Sequence, residues 1–204
     1  MEALSVPVVE WGVAALPIPG QTVSGDRHVV KPFPRGLLVA AVDGLGHGDE
    51  AAAAAEIAVR VLETHSHESV LSLVERCHES LRMTRGVVMS LGSFSARGTL
   101  TWVGVGNVEG RLTRASPGAD RRSVSLLLQG GVVGGKLPIL SSAAVLVDPG
   151  DTLIFATDGV RGDFREDLTQ REPPQRIADR ILAEYGKRTD DALVVVVRYT
   201  GGLP

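Results

Sequence analysis

An apolar run from Leu37 to Val42 stops abruptly at Asp43-Gly44, and the turn Leu45-Gly46-His47-Gly48 then leads into an alanine-rich segment. Apolar residues without alternation read as a strand buried on both faces. Such a strand delivers one carboxylate to its tip, beside a glycine whose backbone can approach an ion closely. The pattern recurs twice. Leu153 to Thr157 runs into Asp158-Gly159, and Asp190-Asp191 opens the apolar stretch Ala192 to Tyr199. Any fold and any function assigned to the chain must account for three aspartates at three strand ends.

The segments around these tips fall into an order. Ser5–Leu16, Thr22–Phe33 and Gly36–Val42 read as strands, with Ser24-Gly25-Asp26 marking a bulge or a close backbone approach. Asp49–Thr64 reads as a helix with Ala54, Ile57, Val61 and Leu62 as its apolar stripe, and His67–Arg82 as a second with Val70, Val74, Cys77 and Leu81. The period then shortens. Gly86–Phe94, Gly98–Gly106, Gly110–Ala115 and Ser123–Leu128 read as strands, and Val145–Ala156 as a hairpin about Pro149-Gly150. Pro173–Gly186 is a third helix and Ala192–Tyr199 a last strand. Strands grouped apart from helices predict an α+β fold: two mainly antiparallel sheets flanked by helices, in one domain over residues 1–204 with 200–204 as a tail.

Composition narrows the function. A net charge of −3 and 4% aromatic residues leave neither a basic field for nucleic acid or membranes nor a base-stacking platform. Cys77 is the only cysteine, so no internal disulfide forms and a reducing, cytoplasmic setting is expected. The first basic residue is Arg27, which does not fit a signal peptide, and no apolar run is long enough to span a bilayer.

Three clustered carboxylates repel one another, and a divalent cation removes the conflict. All-oxygen donors without a Cys/His cluster favour Mg²⁺ or Mn²⁺ over Zn²⁺. Two such ions about 4 Å apart can share and activate one water for in-line attack on phosphorus, so no side-chain nucleophile is required.

Each residue has a plainer reading. An isolated Asp-Gly after a strand is most often a turn, and Asp148 and Asp151 around Pro149-Gly150 are read that way. His47 shapes its loop or contacts substrate. His28, His65, His67 and His78 are surface or helix-face residues. Cys77 lies on an apolar stripe as a small core residue, and Arg82 follows it one position too early for a cysteine phosphatase. Gly130 to Lys136 has the spacing of a phosphate-binding loop. However, Leu137 replaces the Mg²⁺-holding Ser or Thr, and Pro138 blocks an immediate helix.

Together these motifs resemble the metal-dependent Ser/Thr protein phosphatases of the PPM class. Within it they resemble the SpoIIE-like branch, and there the small stand-alone RsbX-type phosphatases that act on stressosome proteins. The resemblance rests on Ser24-Gly25-Asp26, Asp43 to Gly48, Gly104 to Gly110, Thr157-Asp158-Gly159 and Asp190-Asp191, and so spans most of the chain. It implies an α/β/β/α sandwich and two Mn²⁺ (or Mg²⁺) ions. Asp43 resembles the ligand bridging both metals, Gly44 a backbone-carbonyl ligand, and Asp158 and Asp190 the remaining ligands. These three aspartates are the catalytic set. Asp26 resembles an acidic residue near a metal-held water or a weaker third ion. Asp191 stands where many relatives carry Asn, so Asp190 is taken as the ligand. Asp163 departs from the spacing of a third-metal aspartate, and no arginine stands out for the phosphate.

The implied activity is hydrolysis of phosphoserine or phosphothreonine on a partner protein, a stressosome scaffold or a STAS-type protein. Two alternatives stand beside it: a catalytically silent adaptor of the same fold that binds phosphoproteins, and a hydrolase of small phosphate esters.

Overall fold

The computed structural model describes residues 7–115, 123–166 and 172–202. Ser5 and Val6 of the expected first strand, and residues 203–204 of the expected tail, lie outside these. In chain order the elements are β1 (Pro7–Leu16), β2 (Asp26–Phe33), β3 (Gly36–Gly44), α1 (Asp49–Thr64), α2 (Val70–Leu81), β4 (Val87–Ser95), β5 (Thr99–Val105) and β6 (Glu109–Thr113). There follow β7 (Ser123–Ser125), β8 (Leu128–Gln129), β9 (Ala143–Leu146), β10 (Thr152–Ala156), a 3-10 turn (Gly162–Glu166), α3 (Pro174–Tyr185) and β11 (Ala192–Gly202).

The strands form two sheets, β1-β11-β10-β6-β7 and β2-β3-β4-β5-β8, with β9 also on β5. Pairing is antiparallel except for the short β5–β8 contact. The sheets face each other, α1 and α2 cover the outside of the second, and α3 covers the outside of the first. This is the expected α/β/β/α sandwich.

Strand β3 shows why its sequence lacks alternation. Leu37, Val39 and Ala41 point between the sheets, against Leu153, Phe155, Leu193 and Val195. Leu38, Ala40 and Val42 point the other way, against Ala54, Ala58 and Leu62 of α1 and Leu73 of α2. Both faces are therefore dry although the sheet is antiparallel. Strand β11 behaves likewise: Leu193, Val195 and Val197 face the sheets' shared core, while Val194 and Val196 meet Ile177 and Ile181 of α3. On α1 the alanines do the burying. Ala51, Ala54, Ala55 and Ala58 are fully covered, whereas Ile57 and Val61 of the expected stripe are only partly so.

Several boundaries moved for local reasons. Helix α2 starts at Val70 rather than His67, because the Ser69 side chain caps it by accepting from the Ser72 N–H at 3.2 Å. Strand β2 starts at Asp26, after a tight turn in which Ser24 Oγ accepts from the Asp26 N–H. Ser123–Leu128 is not one strand: β7 pairs with β6 in one sheet and β8 with β5 in the other. Val145–Ala156 is not a hairpin. Its two halves join different sheets, β9 on β5 and β10 between β6 and β11. The turn itself is as expected, with Asp151 N–H donating to Asp148 O at 3.0 Å and Gly150 at φ 96°. Finally, the chain from Thr200 to Gly202 is not tail but strand, because β1 is long enough to pair with it.

Candidate active site

A cleft lies at one end of the sandwich, where strand tips of both sheets converge. From one sheet come Asp26 and Asp43, which sit directly opposite each other in the β2–β3 ladder. From the other come Asp158, just past the end of β10, and Asp190-Asp191, just before β11. The two sheets are tied together here by Thr157, whose Oγ1 donates to Asp26 Oδ2 at 2.8 Å and accepts from the Leu193 N–H at 2.8 Å.

Backbone packing fixes these tips. A side chain on Gly159 would run into the Asp191 carbonyl, at 1.9 Å from a Cβ, so only glycine lets the β10 and β11 ends approach. A side chain on Gly44 would meet the Ala51 carbonyl at 2.1 Å. The glycine after Asp43 is thus demanded by α1 as much as by any ion. Gly44 is held in place by its N–H, which donates to Gly25 O.

The cleft has a volume of about 420 Å³. Asp43, Asp158, Asp190, His47 and Asn107 line it, with Gly130 and Gly131 from the loop after β8. Asp26 is buried behind Asp43, 5% exposed. The two neighbouring aspartates at 190 and 191 have different jobs. Both Asp191 oxygens accept backbone N–H groups, from Ile18 at 2.8 Å and Gly25 at 2.6 Å, and the residue is buried. Asp190 instead turns to the cleft, with one oxygen accepting from its neighbour's N–H.

Burial pushes the Asp43 carboxyl up to about 8, reinforced by the charges of Asp26, Asp158, Asp190 and Asp191. Burial also pushes Asp26 up to about 7. The Thr157 hydrogen bond opposes that rise, and Asp191, Asp158 and Asp190 add to it. Three carboxyl groups, Asp43, Asp158 and Asp190, thus line a single cleft with Asp26 and Asp191 packed behind them, and its described lining residues include no Lys or Arg. Among the described residues, no group of three His, Cys, Asp or Glu side chains is drawn tightly enough together to enclose an ion alone. The carboxylates are spread, all-oxygen and mutually repulsive. That suits hard divalent cations, which take one or two carboxylates each and retain water ligands.

Four residues matter that the motifs alone did not single out. Asn107 Nδ2 donates to Asp158 Oδ2 at 2.8 Å, and Lys187 Nζ donates to Asp158 O at 2.5 Å. Thr157 bridges the sheets as described, and Gln21 Nε2 lies 2.7 Å from His47 Nδ1. Asn107 and Thr157 were visible inside recognised motifs but carried no role there. Lys187 and Gln21 carry no sequence signal, because their partners are distant in the chain. Asp163, by contrast, is exposed and paired with Arg161, away from the cleft. Lys136 of the glycine-rich loop is exposed, and no helix follows the loop, as Pro138 led one to expect.

This sandwich, with its carboxylate cleft, is that of the metal-dependent protein phosphatases of the PPM, or PP2C, class. Within the class, the chain belongs to the family of Stage II sporulation protein E (SpoIIE), whose model matches residues 34–200. It is 27% identical over 180 residues to the phosphoserine phosphatase RsbX of Bacillus subtilis, covering 87% of this chain and 88% of that one. A crystal structure of RsbX in complex with magnesium superposes with a TM-score of 0.83 at 25% identity, covering 94% of this chain and 96% of the other. A structure from a description of the bacterial stressosome, as a modular system adapted to control secondary messenger signaling, superposes with a TM-score of 0.84 at 28% identity, over 94% of this chain and 100% of that one.

Proposed function

We propose that the chain removes phosphate from phosphoserine or phosphothreonine on a bacterial stress-signalling protein, with two Mn²⁺ or Mg²⁺ ions held by Asp43, the Gly44 carbonyl, Asp158 and Asp190. Asp26 lies beside them. The observation that carries this reading is the convergence of Asp43 from one sheet with Asp158 and Asp190 from the other on one open cleft.

When bound, the ions supply an activated water and offset charge on the phosphoryl oxygens. The remaining work falls to the chain. Asn107 and Lys187 hold Asp158 from its side chain and its backbone. Thr157 holds Asp26 opposite Asp43, and Asp191 pins the backbones of Ile18, which lines the cleft, and of Gly25. His47 contacts the substrate.

The partner we favour is a phosphorylated stressosome scaffold or STAS-type protein. The similarity to RsbX along most of both chains supports this. Such a partner places the enzyme in the cytoplasm. Among the described residues, no helix is long and apolar enough to cross a membrane.

The test is phosphate release from a phosphoserine scaffold protein with Mn²⁺ and with EDTA, for wild type and Asp158→Asn. We expect metal-dependent release that the substitution removes. Folded wild-type protein that binds the phosphoprotein but releases nothing with Mn²⁺ would overturn the reading in favour of the silent adaptor.

A further inference from the structure

His47 is exposed, lines the cleft, and has one ring nitrogen committed. Gln21 Nε2 lies 2.7 Å from its Nδ1. An amide NH2 can only donate, so Nδ1 must present a lone pair. A neutral imidazole with a lone pair on Nδ1 carries its proton on Nε2. The opposite orientation of the amide is disfavoured by what lies at its other end. Gln21 Oε1 is buried without a hydrogen-bond partner among the described residues. Reversing the amide would bury an NH2 there instead, and an orphaned donor pair is less tolerable than an under-satisfied carbonyl.

Gln21 is itself anchored. Its N–H donates to Ile18 O at 3.0 Å, and the Ile18 N–H donates to Asp191 Oδ1 at 2.8 Å. The short loop from Ile18 to Gln21 is therefore fastened at one end to the buried aspartate before β11 and at the other to the ring in the cleft.

We propose that Gln21 is a positioning residue that holds His47 as the neutral Nε2–H tautomer, so that His47 offers the phosphorylated substrate a hydrogen bond and not a proton. The inference rests on the phosphatase reading for its substrate but not for its geometry. Because Nδ1 is taken, the nitrogen left to face a ligand is Nε2, which donates to a phosphoryl oxygen. This gives the cleft a neutral donor for the phosphate in a lining that has no cationic one. In hydrolysis the leaving seryl oxygen must then draw its proton from solvent, since a neutral imidazole that gave up Nε2–H would become an anion.

The tautomer can be read directly by ¹⁵N NMR of the histidine side chains at pH 8, with the five histidines assigned by substitution. In wild type we expect His47 to show a protonated Nε2 and a lone-pair Nδ1. In Gln21→Glu, whose carboxylate can only accept, we expect the proton to move to Nδ1. Gln21→Ala should mix the two forms, and Gln21→Asn should restore neither fully, being one methylene short. Kinetically, Gln21→Ala and His47→Ala should each raise KM for the phosphoprotein several-fold with little change in kcat, and the double variant should lose no more than the larger single one. A His47 tautomer unchanged in Gln21→Ala and Gln21→Glu, or losses that multiply in the double variant, would overturn the proposal. A tautomer that switches as described, in protein that turns over no phosphoprotein, supports the hold of Gln21 and overturns the phosphatase reading instead.

Discussion

Thr157 is 1% exposed and makes two hydrogen bonds with opposite sense, donating to Asp26 and accepting from the Leu193 backbone. Thr157→Val keeps the shape and orphans both partners. Each buried orphan costs about 1–3 kcal/mol, so for two we expect a loss of about 2–6 kcal/mol in urea unfolding. Asn107→Ala leaves the fold intact but frees Asp158 Oδ2. Groups that orient metal ligands contribute about 10–100-fold to affinity or activity, and we expect a loss of that size in metal-dependent phosphate release. Cys77 offers a contrast. Burial pushes its thiol up to about 12, so the thiolate that reacts is scarce at neutral pH. Iodoacetamide at pH 8 should label it only after denaturation, and fast labelling of the native protein would contradict its burial. These residues also show how far the sequence carries. Asp43, Asp158 and Asp190 stand out in the sequence because Asp43 and Asp158 close an apolar run and Asp190 opens one, a local signal. The division of labour between Asp190 and Asp191 was decided by which carboxylate meets two backbone N–H groups from residues more than 160 positions away. No spacing rule encodes that.

Helices and central strands were legible as elements because their burial writes a period into the sequence. Asp49–Thr64 forms the helix over the whole range expected. Among the elements that differ from expectation, Val145–Ala156 is the one whose strands change sheet across a turn that the sequence marks. Pro149-Gly150 announces a reversal, but a turn does not say whether the next strand returns to the same sheet. Here it crosses to the other one, and Asp151 holds the crossing. Its oxygens accept from the Arg114 guanidinium at 2.7 Å, the Ala115 N–H at 2.9 Å and the Asp148 N–H at 3.1 Å, and it is 2% exposed. The turn reading of Asp151 was therefore correct in place and incomplete in kind. Removing one partner of a buried ion pair costs about 3–5 kcal/mol, because the other is left uncompensated. Asp151→Ala should lose an amount in that range in urea unfolding, whereas Asp148→Ala, on the same turn, should change little. Equal effects would mean that the turn alone holds the crossing.

At the scale of the whole molecule, the cleft is built by pressing the carboxylate-bearing tips of two sheets together. The apolar core between the sheets holds them there, with Phe155, Val195 and Trp102 buried in it, while the charges at the end push them apart. A native state that carries such repulsion is stabilised by whatever relieves it. A ligand present at 100 times its Kd adds about 2.7 kcal/mol to stability when it binds only the native state. For a domain of this size that corresponds to a rise of roughly 5–10 °C in melting temperature. We therefore expect Mg²⁺ or Mn²⁺ to raise the melting temperature by about that much over EDTA-treated protein. Asp43→Asn keeps the shape of the side chain and removes a carboxyl that burial and its acidic neighbours already push up to about 8. It should melt no lower than wild type in EDTA, and above pH 8, where the wild-type carboxyl ionises against its neighbours, it should melt higher; yet it should gain far less on adding metal, because a proposed ligand is gone. The two effects have opposite signs, which separates them from simple damage to the fold. If Asp43→Asn melted well below wild type in EDTA and still gained the full increment from metal, Asp43 would be a structural residue, and the metal would have to be sought elsewhere than between the two sheets.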